Sequence, residues 1–456
     1  MTKTQIFTTA TFSFFSIFTS FTTSAANPVS RTPAAAKLEI RFPVEKYTLK
    51  NGLTVLLAED HSVPMVSYHT WYRVGSRDES PGVTGAAHML EHMMFKGTKK
   101  YSGKEFDQIL HENGIVNNAF TSFDYTGFYE NLPSSKLEMI MDMEVDRMRF
   151  LSLRPEDLKS ELQVVGEERR WRVDNNPGGL LREVMFGTLF KVHPYSWPTI
   201  GYMKDIQEYT SEKLKKFYDT YYVPNNAVLV LSGDFDIKKT KNLIEKYYSQ
   251  LEPKSIPQRK YPAEPELTAP QRKVLPWDVQ TRSLLVAYKG VPSGHEDSFA
   301  LDLASALLGG GASSRLYKKV VYQQQVASSL GAYNMTNADP GAFLVMGTLK
   351  PGASAEPVEK TILQEIENLK NKAVSPQELQ KVKNQVMMEF VEGLTTIDGK
   401  AQALAVNEII FGDYQHLYSD LEKYDQVRAV DVQAAAKKYL QAQKRVIGIL
   451  EPKTKK

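Results

Sequence analysis

The stretch Gly85–Met94, GAAHMLEHMM, limits what this chain can become more than any other. Pro81-Gly82 marks a turn ahead of it, Thr84 is a candidate N-cap and Gly97 a candidate stop, so the signals predict a helix. Ala86, Ala87, Met89, Leu90, Met93, Met94 and Phe95 make that helix apolar on nearly every side. Such a helix belongs in a core. It nevertheless carries His88, Glu91 and His92. The histidines, four residues apart, share a face, and Glu91, three after His88, lies beside them. Burying such groups is costly unless something compensates them. Hydrogen bonding within the core is the plain compensation. A metal ion held by the imidazoles, with the carboxylate as a water-activating base, is the other.

His-x-x-Glu-His is the reverse of the zinc-peptidase order His-Glu-x-x-His. A catalytic zinc takes three protein ligands and keeps a position open, so a third His, Glu or Asp must come from elsewhere. The best candidate stretch is Glu161–Arg172, ELQVVGEERRWR. Glu161 and Glu168 are two helical turns apart and lie on one face, with Leu158, Leu162, Val165 and Arg169 along the next stripe, which would pack inward. A solvated charged helix fits that composition equally well.

GAAHMLEHMMFKGT, followed by VVGEERR with Glu168 76 residues after His92, resembles the pitrilysin/insulinase family of zinc peptidases. Within that family it is most similar to the branch of mitochondrial processing peptidase and its bacterial relatives. The resemblance implies Zn2+ held by His88, His92 and Glu168, Glu91 as general base, and Glu161 as a further catalytic-site glutamate supporting the zinc centre. It implies that the NAFTS segment is an edge strand, with Asn118, Ala119, Phe120 and Thr121 binding substrate backbone as an added strand. The implied fold is α+β: two similar domains, each a mainly antiparallel sheet packed by helices, arranged as a clamshell. The implied activity is endopeptidase cleavage of peptides or unfolded polypeptides. The alternative is a non-catalytic structural or interaction subunit, since the family contains such members.

One departure bears on activity. Single-chain family members carry an Arg and a Tyr seven residues apart after a Gly-rich Ser-Arg-Leu element. That element is present as Gly309–Tyr317, GGGASSRLY, but the Arg position falls on Val321 and the Tyr position on Ser328. Arg315 and Tyr322 have the right separation but lie six residues too early. The resemblance therefore implies a zinc-bearing subunit whose partner, a homologous chain, supplies the Arg/Tyr pair.

The rest of the chain frames these residues. Lys3 is the only charge before Arg31; a Phe/Thr-rich run follows and ends at Ser24-Ala25-Ala26. That pattern reads as a signal peptide at residues 1–26 and a mature protein that is periplasmic, or secreted if the source cell has one membrane. The remaining expected divisions are a zinc-binding domain at 27–251, a linker at 252–271 with five prolines, and a domain without zinc ligands at 272–456. With 56 basic and 53 acidic residues, nothing points to nucleic acid, and no other stretch suits stable membrane insertion. No cysteine is present, so no disulfide framework is expected. Asn51-Gly52 predicts a hairpin, Val66–Val74 a strand, and Val116–Tyr129 a single strand. His193, in His-Pro-Tyr, reads as a packing residue. A strand at Ser283–Tyr288 and a helix at Phe299–Leu308 echo the order that leads into the motif helix.

Overall fold

Asn51-Gly52 closes the first hairpin, with Gly52 at φ 86°. The Asn51 amide donates to the carbonyls of Tyr248 (2.8 Å) and Leu251 (2.9 Å), tying the turn to a distant helix end. Strands β1 (Glu45–Thr48) and β2 (Thr54–Glu59) flank this turn. The computed structural model describes residues 41–453; the leader expected at 1–26 lies outside the described residues.

Four more strands complete the first sheet: β3 (Met65–Tyr72), β4 (Val116–Thr121), β5 (Thr126–Pro133) and β6 (Ala227–Gly233). Their order is β1-β2-β6-β3-β5-β4, with one parallel pair, β2 and β6, and otherwise antiparallel neighbours. The stretch read from sequence as one strand, Val116–Tyr129, is instead a hairpin. Ser122 breaks it: its hydroxyl accepts from the Asp124 and Tyr125 amides at 3.1 Å, a turn that competes with extension. One consequence is that β4 is left at the sheet edge.

The second sheet repeats the plan. Strands β7 (Gln271–Trp277), β8 (Ser283–Lys289), β9 (Ala327–Met335), β10 (Ala342–Leu349) and β11 (Arg445–Pro452) run in the order β7-β11-β8-β10-β9, again with a single parallel pair, β7 and β11. The echoed helix is Glu296–Gly309. The architecture is thus two α+β domains, each a mixed, mainly antiparallel sheet packed by helices.

The central strands are buried on both faces, as in β6, where every residue is buried, and β8, where Leu284–Tyr288 are. One face is covered locally. The other is covered by a helix from the opposite half of the chain. Leu181, Met185, Phe186 and Leu189 of the Pro177–Leu189 helix pack on Leu285, Ala287, Val446 and Leu450 of the second sheet. Ala401, Leu404 and Ala405 of the Ile397–Phe411 helix pack on Leu56, Trp71, Val228 and Val230 of the first. The proline-rich segment after residue 251 is stapled along the first half: Arg259 pairs with Asp78, Tyr261 donates to the Arg77 carbonyl, and Glu264 accepts from the amides of Lys191, Val192 and His193.

Candidate metal centre

The motif helix spans Ala86–Met93. Its N-terminus is not capped by Thr84, whose hydroxyl donates to Asp205 Oδ2 at 2.6 Å. Glu79 caps it instead: Oε2 accepts from the Gly85 amide at 2.7 Å and Oε1 from the Ala87 amide at 3.0 Å. A carboxylate there also suits the positive end of the helix dipole. Gly85 stands at φ 88°, and a Cβ on it would lie 2.4 Å from the Ile200 carbonyl oxygen. The chain thus enters the helix through a left-handed residue pressed against another backbone.

The second element is the Pro155–Arg169 helix, which brings Glu161 and Glu168 over the motif. Glu168 Oε2 lies 3.1 Å from His92 Nε2 and 3.7 Å from His88 Nε2. One ligand atom from each of His88, His92 and Glu168 falls within 4.8 Å of the others, the only such cluster among the described residues. His88 is 4% exposed, and neither of its ring nitrogens has a hydrogen-bond partner. A buried imidazole with both nitrogens free is an uncompensated cost that a metal ion would remove. Two histidines and one carboxylate form the donor set expected of a catalytic zinc.

His92 differs from His88. Its Nδ1 is 2.8 Å from Glu161 Oε1, which fixes the ring and turns Nε2 toward Glu168. Glu161 is itself paired with Lys96. Burial and the charge of His92 push His88 down to about 3. Burial also pulls on His92, but the bonds to Glu161 and Glu168 outweigh it and raise His92 to about 9. Glu168 is held down at about 2: burial opposes, and the bond from His92 with the charges of His88, His92 and Arg172 prevails. Glu161 is lowered by His92 and Lys96 against the cost of burial.

Glu91 is buried, and burial raises its pKa; His92 and the Thr121 hydroxyl, which donates to Oε2 at 2.6 Å, work against that. Thr121 is the last residue of β4. Of the other residues expected to meet substrate, Ala119 packs into the core on the motif side. Phe120 turns to the opposite face against Trp71, ring centroids 4.8 Å apart. The Asn118 side chain accepts from the Ala119 amide at 2.9 Å. Their backbone lies on β4, the last strand of the sheet, whose outer side pairs with no other strand among the described residues. His193 lies away from the cluster; its Nδ1 accepts from the Tyr195 amide and its Nε2 is 3.4 Å from Asp339.

In the second half, Arg315 is bound to both carboxylate oxygens of Glu378, at 2.8 and 2.6 Å. Val321 packs against the second core, Ser328 donates to the Thr348 carbonyl, and Tyr322 is exposed. Sequence reasoning did not single out Glu79, Lys96 or Arg172. Arg172, four residues after Glu168, carried a helical-spacing signal; the other two depend on tertiary contacts.

Two family descriptions match this chain: Insulinase (Peptidase family M16) over residues 54–201, and Peptidase M16 inactive domain over residues 208–386. Zinc protease PqqE of Helicobacter pylori is 36% identical over 397 residues, covering 85% of this chain and 89% of its own. YmxG of Bacillus subtilis, described as an uncharacterized zinc protease, is 26% identical over 395 residues, with 86% and 95% covered. Among solved structures, a protease from Helicobacter pylori matches with a TM-score of 0.86 at 34% identity, covering 90% of this chain and 100% of that one. A peptidase M16 inactive domain from Pseudomonas fluorescens matches in fold with a TM-score of 0.83 at 20% identity, covering 91% and 98%.

Proposed function

The chain belongs to the insulinase family of peptidases, M16, and we propose that it is a zinc-dependent endopeptidase acting on peptides or unfolded polypeptides. Zinc is the cofactor its relatives' names carry and its donor set fits. The observation that carries the reading is the convergence of His88 Nε2, His92 Nε2 and Glu168 Oε2 around a buried imidazole with no other partner.

When bound, zinc supplies Lewis-acid polarisation of the scissile carbonyl and a lowered pKa for water. The remaining work falls to the chain. Thr121 holds one oxygen of Glu91, and burial makes this carboxylate a stronger base than an exposed one. Glu91 takes the proton from the attacking water and hands it to the leaving amine. The open edge of β4, from Asn118 to Thr121, aligns the substrate as an added strand. Glu161 holds the His92 ring in the orientation that ligation needs.

The test pairs metal analysis with cleavage of a flexible peptide. Glu91→Gln should keep stoichiometric zinc and lose about 10²-fold or more in rate. Glu168→Ala should lose the metal, and Glu167→Ala should keep both metal and rate. Zinc loss in Glu91→Gln would overturn the division of roles.

We read the chain further as the zinc-bearing subunit of a periplasmic heterodimer. Val321 has no polar group, the short Ser328 side chain donates to the Thr348 carbonyl, and Arg315 is spent on Glu378. The partner would be a homologous chain supplying the Arg/Tyr pair. Robust peptide turnover by this chain alone, surviving Arg315→Ala and Tyr322→Phe, would overturn that reading.

A further inference from the structure

We propose that Arg172 is a positioning residue that makes Glu168 a one-oxygen ligand and thereby keeps a coordination position open. The inference rests on the metal-binding reading of the same site. The three arginines after Glu168 have different fates. Arg170 pairs with Glu167 on the surface. Arg169 is committed to structure: it donates to the Gly201 carbonyl at 2.7 Å, grips both oxygens of Glu183 at 2.9 and 3.1 Å, and lies 3.2 Å from Asp174. Arg172 alone turns back to the centre, its Nε 2.7 Å from Glu168 Oε1. The N–H is poorly aligned for a hydrogen bond, so the contact is an ion pair.

The two oxygens of Glu168 therefore face different charges. Oε2 looks at the Nε2 atoms of both histidines. Oε1 looks at a guanidinium. The guanidinium holds negative charge on Oε1 and competes with a metal for that oxygen, which leaves Oε2 as the oxygen free to ligate. A carboxylate free to use both oxygens would fill a further position on the metal, the one a catalytic centre must leave for water or substrate.

The backbone is built to hold Arg172 there. Residues Arg170–Asp174 form a π-helical turn, closed by the Asn175 amide donating to the Arg170 carbonyl at 2.7 Å. The next helix begins on top of this turn. A Cβ at Gly179 would lie 2.0 Å from the Arg172 carbonyl oxygen, so the Pro177–Leu189 helix rests directly on the Arg172 backbone. With its main chain clamped, the Arg172 side chain is directed one turn back toward Glu168 rather than free in solvent.

The experiment uses the full chain loaded with zinc or cobalt(II). Zinc affinity is measured by chelator competition, and coordination number from the cobalt d–d absorption intensity. Arg172→Met, which keeps the stem and removes the charge, should tighten zinc binding about tenfold or more, because a cation leaves the centre and the second Glu168 oxygen is freed. Its cobalt bands should weaken toward a five-coordinate spectrum. Gly179→Ala retains the arginine but displaces its turn, and should shift both readouts in the same direction; it decides the matter if Arg172→Met does not fold. Unchanged affinity and spectrum in the folded variants would overturn the proposal while leaving the zinc site intact. Failure of the unaltered chain to bind either metal would instead overturn the metal-binding reading beneath it.

Discussion

His88 and His92 sit one turn apart on the same helix, yet their environments pull them in opposite directions. His88 has no acid in hydrogen-bonding contact and is driven down to about 3 by burial. His92 has Glu161 and Glu168 against its two nitrogens and is raised to about 9 in spite of burial. The spacing of the motif is symmetric; the neighbours are not. Glu91 shows the same dependence on its neighbours. Burial raises it, and the charge of His92 and the Thr121 hydroxyl at 2.6 Å hold it partly down. Thr121→Val removes that hydroxyl at nearly constant shape, so Glu91 should move further up. A base must be ionised to act, and the acid limb of kcat/KM should therefore shift to higher pH. A pH–rate profile checks this, and an unmoved acid limb would mean that Glu91 does not control it.

At the scale of the element, the motif helix is only eight residues long, too short to persist without tertiary support. Glu79 supplies its cap, and two glycines supply its approach. A Cβ at Gly85 would meet the Ile200 carbonyl at 2.4 Å, and one at Gly201 would meet the Thr84 carbonyl at 2.1 Å. The two backbones touch because neither residue has a side chain. Gly85→Ala adds both a left-handed alanine and a collision. It should destabilise the protein by about 1–3 kcal/mol from the conformation alone, with more from the clash. The expected readouts are a lower Tm by thermal melting and weaker zinc retention, because the start of the helix sets the position of His88. An alanine variant with unchanged Tm would show that the entry turn can relax.

Across the whole molecule, the two halves are not separable bodies. Each sheet is closed by a helix from the other half, and polar joints add to the exchange. Asp398 of the Ile397–Phe411 helix accepts from Ser67 at 3.2 Å and meets His69 at 3.1 Å on the first sheet. Tyr195 donates to Asp124 at 2.6 Å and accepts from the Asp339 amide at 3.1 Å. Residues 41–251 and 272–453 expressed separately should each be insoluble or unfolded, because each would expose the sheet face its counterpart covers. Co-expressed, they should associate, and the intact chain should melt in one calorimetric transition; two independent transitions would refute the interlock. The sequence by itself determined what local periodicity and spacing encode: the motif helix with His88, Glu91 and His92 on it, the Asn51-Gly52 hairpin, the Glu161/Glu168 face, and the repeated strand-then-helix order. It misread Val116–Tyr129 because a side-chain turn at Ser122 overrides strand propensity. Only the tertiary structure decided that Glu79 and not Thr84 caps the helix, that Arg172 turns back onto Glu168, and that helices are exchanged between halves. Those outcomes rest on contacts that packing selects, and the pattern of neighbours along a sequence carries no record of the selection.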